Sequence, residues 1–366
     1  MHRRPSTWPA LVRSQVRLPL ALAAAYDGRV LGSIVRVLVG KAREDEAIVG
    51  GVAASVIRPG RGEGPWPAVV LFPGITRRGR AHPGLVAIAR GLAASGRLAI
   101  LVEPEGLATG ELTPTSVLQA RAAVRGALSR TDVAHGHVAL VGVSGGGTLA
   151  LLAAADPSLA ERVSIVLALA PLNDVSEAIR VITTGVYRDG ETHVPFVSGD
   201  FFKLVIAKSV IACLPSGEER AALRARLQSL DDYAAQPLAC LREWPRDGLG
   251  SSARAAVELL SNEVPERFDD LYAALPEALR AGVELLSPII VASRLEAPVE
   301  LVVARADKYI SLADALAFAE ACPTARLTIL ESLTHVVPTL SPAAARDLAR
   351  FDGILVRLLA TSYSGR

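Results

Sequence analysis

A serine flanked by glycines, Gly142-x-Ser144-x-Gly146, stands where an apolar run, Val138 to Val143, gives way to an Ala/Leu run, Thr148 to Ala155. The first run reads as a buried strand and the second as a helix. A chain that turns from strand to helix around one residue crowds its neighbours, so the positions two before and two after favour glycine. The serine hydroxyl is then pushed out at the strand tip, over the positive end of the helix. The amide of Gly145, the next residue, is placed to face an oxyanion. The same five-residue pattern also arises by chance in a chain with 30 glycines. Here the strand before it and the helix after it supply the context that a nucleophile requires.

A serine hydroxyl is a weak nucleophile at neutral pH and needs a base, itself oriented by a carboxylate. Six histidines are available. His135 and His137 precede the strand that leads to Ser144 and belong to the opposite end of a sheet. His193 falls in a helical region, His82 follows an earlier strand closely enough to line a pocket, and His2 sits at the terminus. His335, in Leu333-Thr334-His335-Val336-Val337-Pro338, follows the last predicted strand at its carboxyl end. Asp307, in Arg305-Ala306-Asp307-Lys308-Tyr309-Ile310, follows the strand Pro298 to Ala304. Each also has a bland reading, His335 as an ordinary loop histidine and Asp307 as a turn or capping residue before Ser311. Taken together, Ser144, Asp307 and His335 stand just past three core strands. Asp174, beyond the strand that ends at Ala170, is an alternative acid, and Glu105 a more remote one.

The elements that must position these residues alternate. Ile48 to Ile57, Ala68 to Phe72, Leu98 to Val102, Val138 to Val143 and Val163 to Ala170 read as strands. Helical patterns over 83–94 and 115–129 separate them. Strands that are apolar throughout imply a parallel sheet covered on both faces, with chemistry gathered at the carboxyl ends. From 174 to 290 the alternation fails and the chain reads as mostly helical, with its clearest stretches over 218–230, 252–260 and 268–285. It resumes with strands at 298–304 and 327–330 and helices at 312–321 and 343–359. The expected organisation is an N-terminal helical extension over 1–45, an α/β core over 46–173 and 291–366, and a helical cap over 174–290.

With 366 residues, 51% of them hydrophobic and 21% charged, the chain is long enough for a large folded core. A net charge of +2 with scattered positive residues argues against a nucleic-acid surface. Cys213, Cys240 and Cys322 are odd in number and far apart, which indicates neither a zinc site nor a disulfide framework and fits reduced thiols in a cytoplasmic protein. Residues 18–25 form a short apolar run after Arg3, Arg4, Arg13 and Arg17, a faint secretory pattern interrupted by Pro19. No run reaches the ~18 apolar residues of a membrane span. The segment Val30 to Val39, with Arg29 and Arg36 on one helical face, is read as a helix packing on the body in preference to a membrane anchor.

The order Ser144, Asp307, His335, with the Gly142–Gly146 elbow and the Phe72-Pro73-Gly74-Ile75 loop, resembles the α/β-hydrolase superfamily over roughly 48–173 and 291–360. The resemblance implies a mostly parallel sheet with a helical cap inserted after the sixth strand. It implies Ser144 as nucleophile, His335 as general base and acid, Asp307 as orienting carboxylate, and the Ile75 and Gly145 amides as an oxyanion hole. Phe72-Pro73-Gly74 stands where many relatives carry His-Gly, a change the backbone donors should tolerate. The activity implied is cleavage of a carboxylic ester through an acyl-enzyme, with no metal or organic cofactor. The expected partner is a small-molecule ester with an apolar group, since the cap carries Phe201, Phe202, Tyr233 and Trp244, read chiefly as cap core. A peptidase or an acyltransferase could use the same residues, and a binding protein could retain them vestigially. For a peptidase, Glu218, Glu219, Asp231 and Asp232 are available to hold a peptide amino terminus.

Overall fold

A computed structural model describes residues 40–361. The expected signal-like run and the helix over Val30 to Val39 lie outside these residues. Among the described residues no helix is long and apolar enough to cross a membrane.

The chain begins with a hairpin, β1 (Arg43–Val49) and β2 (Val52–Arg58). The single strand expected over Ile48 to Ile57 is therefore two strands. Gly50 and Gly51, at φ 59° and 81°, adopt left-handed backbone that turns the chain back on itself. Ile48 is 71% exposed on the edge strand, so its apolar character there was misleading. Arg43 to Asp45 belong to β1 and not to an N-terminal helical extension.

Next come β3 (Trp66–Phe72), α1 (Pro83–Ala94), β4 (Leu98–Val102), α2 (Pro114–Leu128), β5 (Val133–Val143), α3 (Gly145–Ala154) and β6 (Val163–Leu169). After β6 lie α4 (Val175–Thr184), a small hairpin of β7 (Val186–Asp189) and β8 (Thr192–Pro195), α5 (Asp200–Ala212), α6 (Glu218–Gln228), α7 (Ser251–Leu260) and α8 (Glu277–Leu285). The β7–β8 hairpin interrupts an insertion that is otherwise mostly helical, as expected, and it holds His193 on an exposed strand. The chain closes with β9 (Val299–Ala304), α9 (Leu312–Ala321), β10 (Ala325–Leu330), a two-residue ladder of β11 (Leu333–Thr334) and β12 (Val337–Pro338), and α10 (Ala344–Thr361).

Eight strands form one sheet in the order β1-β2-β4-β3-β5-β6-β9-β10. The pairs β1–β2 and β2–β4 are antiparallel, and all others are parallel. Both faces are buried. In β3, Val70 and Phe72 point into a core shared with Val117 of α2, Leu149 of α3 and Phe318 of α9. Val69 and Leu71 point the other way, against Leu85 and Leu92 of α1 and Ile354 and Leu358 of α10. This two-residue period with both phases apolar is the reason the strands read as unbroken hydrophobic runs.

The insertion shares the first of these cores. Leu204 and Val210 of α5, Leu223 of α6, Val257 of α7 and Leu279 of α8 are buried in the same cluster as the sheet face. Asp314, in the first turn of α9, ties the start of the insertion to the body. Its carboxylate accepts from Asn173 N, Asn173 Nδ2 and Asp174 N at 2.7–3.1 Å, and burial pushes its pKa up to about 7.

Candidate active site

Four loops leave the carboxyl ends of β3, β5, β9 and β10, and each brings one part of the site. Ser144 sits between β5 and α3 with φ 51° and ψ −125°. Non-glycine residues avoid this conformation at a cost of about 1–3 kcal/mol, and surrounding structure must enforce it. Ser144 N donates to Leu169 O at 2.7 Å, and Ser144 O accepts from Gly147 N at 2.7 Å, which pins the residue on both sides.

The glycines act as the spacing predicts. A Cβ on Gly142 would lie 2.2 Å from Gly146 O, and one on Gly146 would lie 2.3 Å from Pro73 O and 2.4 Å from Phe72 O. These are backbone atoms of α3, of the end of β3 and of the loop that leaves it, and they cannot swing aside. Gly146→Ala is therefore expected to destabilise the fold by about 1–3 kcal/mol through overpacking, visible as a lowered urea midpoint. An unchanged midpoint would show that the elbow is not packed this tightly.

Against Ser144 lies the loop after β3. A Cβ on Gly74 would be 3.6 Å from Ser144 Cβ, and one on Gly145 would be 2.9 Å from Ile75 Cγ1, so the two segments touch. Thr76 N is taken by Leu107 O at 3.2 Å. The Gly145 amide falls in the first turn of α3, where no intrahelical acceptor exists. Ile75 and Gly145 thus meet beside the serine.

Asp307 and His335 come together, as their placement past β9 and β10 predicts. His335 Nδ1 donates to Asp307 Oδ2 at 2.7 Å, with the side chains 11% and 5% exposed. Asp307 Oδ1 accepts from Tyr309 N at 2.8 Å and Ile310 N at 3.3 Å. The carboxylate is therefore both the turn residue of the bland reading and the partner of the imidazole. His335 occupies the tip between β11 and β12 at φ 57°, a small ladder the sequence did not announce. Ser144, His335, Ile75 and Gly145 line one cavity of about 790 Å³. Among the described residues none hydrogen-bonds the Ser144 hydroxyl.

The alternative acids are elsewhere. Asp174 caps α4, where its Oδ1 accepts from Ser176 N at 2.8 Å, Ser176 Oγ at 2.6 Å and Glu177 N at 3.2 Å. Glu105 is exposed, and neither residue lines the cavity.

No family model matches the sequence, and no curated protein does either. Solved structures do. Est1E from Butyrivibrio proteoclasticus superimposes with a TM-score of 0.50 at 14% identity, over 87% of this chain and 99% of that one. Dipeptidyl peptidase 4 of Porphyromonas gingivalis gives a TM-score of 0.50 at 13% identity, over 90% of this chain and 37% of that one. This chain has the α/β-hydrolase fold.

In this α/β-hydrolase fold the insertion after β6 forms part of the cavity wall. Phe201 and Phe202 of α5 and Tyr233 line it, whereas Trp244 does not. Trp244 packs against the core as expected, and Phe202 is buried in that core while also lining the cavity. Phe201 and Tyr233 depart from the expectation: both line the cavity, and Tyr233 is 79% exposed. Tyr309 also lines the cavity, with its ring centroid 5.0 Å from that of His335 in an edge-on arrangement. The rings of Phe201 and Phe202 lie 6.1 and 6.4 Å from Tyr309. Gly199 N donates to Lys308 O at 3.0 Å, so the insertion braces the turn that carries Asp307.

His82 lines the cavity as expected. Lys208 does too, and sequence reasoning passed over it. The signal was a lysine in a helical stretch, Leu204 to Ile211, that is apolar apart from Ser209 and where a charge has no ordinary place. Burial pulls the Lys208 pKa down, an effect opposed by the charges of Asp232 and Glu111. The three cysteines form no disulfide, and burial pushes the Cys213 thiol up to about 12, away from thiolate chemistry.

Proposed function

We propose that the protein is a serine hydrolase that cleaves a carboxylic ester through an acyl-enzyme, with Ser144, His335 and Asp307 as its catalytic triad. The observation that carries this reading is the 2.7 Å bond between His335 and Asp307 at the edge of a cavity whose wall also includes Ser144 on its strained elbow. Asp307 holds the proton of the imidazole on Nδ1, which leaves Nε2 free to take the proton from the Ser144 hydroxyl. The serine oxygen attacks the ester carbonyl. The amides of Ile75 and Gly145 stabilise the tetrahedral oxyanion, and His335 returns the proton to the departing alcohol. Water then enters, loses a proton to His335 and attacks the acyl carbonyl; as the intermediate collapses His335 returns that proton to the departing Ser144 oxygen and the acid is released. The Ser144–His335 hydrogen bond forms as substrate seats, since such contacts tighten on binding.

Ester cleavage is favoured over peptide cleavage by the charges at the cavity. Of Glu218, Glu219, Asp231 and Asp232, Asp232 alone lines it, and Arg77 Nε holds its carboxylate at 2.6 Å. That leaves no free acid to grip a peptide amino terminus. A fluorophosphonate probe is expected to label Ser144 in the folded protein, and 4-nitrophenyl esters between acetate and palmitate are expected to turn over. Failure of both would remove the reading, and product formation on an added alcohol faster than on water would reassign it to acyl transfer.

A further inference from the structure

Lys208 is 4% exposed, in the middle of α5. A lysine on a packed helix ordinarily carries its ammonium out to water along its own methylenes. Lys208 faces the cavity instead. Its neighbours fix the helix: Ser209 Oγ accepts from Leu112 N at 2.9 Å and donates to Val205 O at 2.8 Å, and Val210 and Ile211 are wholly buried. Nζ reaches the cavity beside Gly110, which also lines it, since a Cβ on that glycine would stand 3.4 Å from Nζ, at ordinary contact.

Two carboxylates act on Lys208 from a distance, and both are already bonded to arginines. Asp232 is held by Arg77 at 2.6 Å, and Glu111 pairs with Arg224. Among the described residues none hydrogen-bonds or ion-pairs with Lys208 Nζ. With those two pairs balanced, the ammonium is a surplus positive charge inside the cavity. The residue is buried while its ammonium opens on the cavity, so an anion entering there meets a cation that no carboxylate among the described residues holds.

The placement of the charge along α5 also matters. Phe201, Val205 and Lys208 fall on one helical face, and all three line the cavity. Phe201 packs on Tyr309, which packs on His335. Lys208 lies seven residues further along, roughly 10 Å at 1.5 Å per residue. The cavity therefore runs from His335, past an apolar wall, toward a cation.

We propose that Lys208 binds a carboxylate on the substrate, remote from the scissile ester, so that the enzyme takes half-esters of dicarboxylic acids or esters of comparable anionic acyl groups. This substrate class rests on the ester-hydrolase reading above. The apolar side chains of Phe201 and Val205 hold the methylene or aryl spacer, and Lys208 fixes its far end.

The test compares mono-4-nitrophenyl succinate, adipate and suberate with the 4-nitrophenyl esters of butyrate, hexanoate and octanoate. At the matching length the anionic ester is expected to have at least tenfold higher kcat/KM than its neutral counterpart. Lys208→Met is expected to raise KM for that ester at least tenfold more than for the neutral one, while Lys208→Arg keeps the preference. Preference for the neutral ester at every length, or equal losses on both classes in Lys208→Met, would overturn the proposal. If neither class turned over, the ester-hydrolase reading would fail by itself. Calorimetry with adipate on Ser144→Ala and on Ser144→Ala/Lys208→Met then decides the anion site. Binding abolished by the second substitution supports it, and adipate binding no tighter than the neutral diester dimethyl adipate sinks it.

Discussion

Ser144→Ala is expected to lower kcat for ester hydrolysis by about a millionfold and to abolish fluorophosphonate labelling. The residual rate would come from the oxyanion donors and from substrate binding, which the substitution leaves in place. The variant should fold as the parent does. The Ser144 hydroxyl has no hydrogen-bond partner among the described residues, so its removal strands no buried group. The backbone bonds to Leu169 and Gly147 do not involve the side chain. Steady-state kinetics on the best 4-nitrophenyl ester, with circular dichroism as the folding control, gives the result. A variant that kept a tenth of the parent rate would show that the nucleophile is another group.

The second large effect separates two carboxylates. Asp307→Asn is expected to reduce kcat by about 10⁴-fold, whereas Asp174→Asn should leave it within about threefold. The reason lies in how Asp307 is held. Its Oδ1 accepts from the amides of Tyr309 and Ile310, which an asparagine oxygen would continue to do. The amide nitrogen would then occupy the position of Oδ2, 2.7 Å from His335 Nδ1. Two donors cannot face each other, so the imidazole would move its proton to Nε2 and present it to the serine. In that tautomer it cannot accept the serine proton. At Asp174 asparagine is an equally good helix cap, and the bonds to Ser176 and Glu177 survive. Full activity in Asp307→Asn would remove Asp307 from the triad.

The strand–helix alternation was legible because a doubly covered parallel sheet writes itself as short apolar runs bounded by glycine and proline. The runs ending at Phe72, Val102 and Val143 match β3, β4 and β5 at those ends. The first strand was read differently because Ile48 and Val49 abut Val52 with only two glycines between them. Hydropathy alone does not distinguish a continuous strand from a tight hairpin. The β7–β8 hairpin lacks the alternation that announces a strand, since Val186 to Asp189 is half-buried or exposed throughout.

By itself the sequence determined the elbow and the chain order of the serine, acid and histidine, because those depend on local sterics and on which strand each loop follows. Gly142 and Gly146 are forced by contacts within a few residues and at the adjoining end of β3. Only the tertiary structure separates Asp307 from Asp174. Both follow core strands, and they differ in what lies opposite each carboxylate, an imidazole 28 residues onward for one and a helix N-terminus for the other. The cavity wall was likewise a tertiary matter. Phe201, Phe202 and Lys208 line the site because the insertion after β6 packs on the sheet and its Phe201 and Phe202 meet Tyr309 beside His335, a contact between segments about 100 residues apart that periodicity does not show.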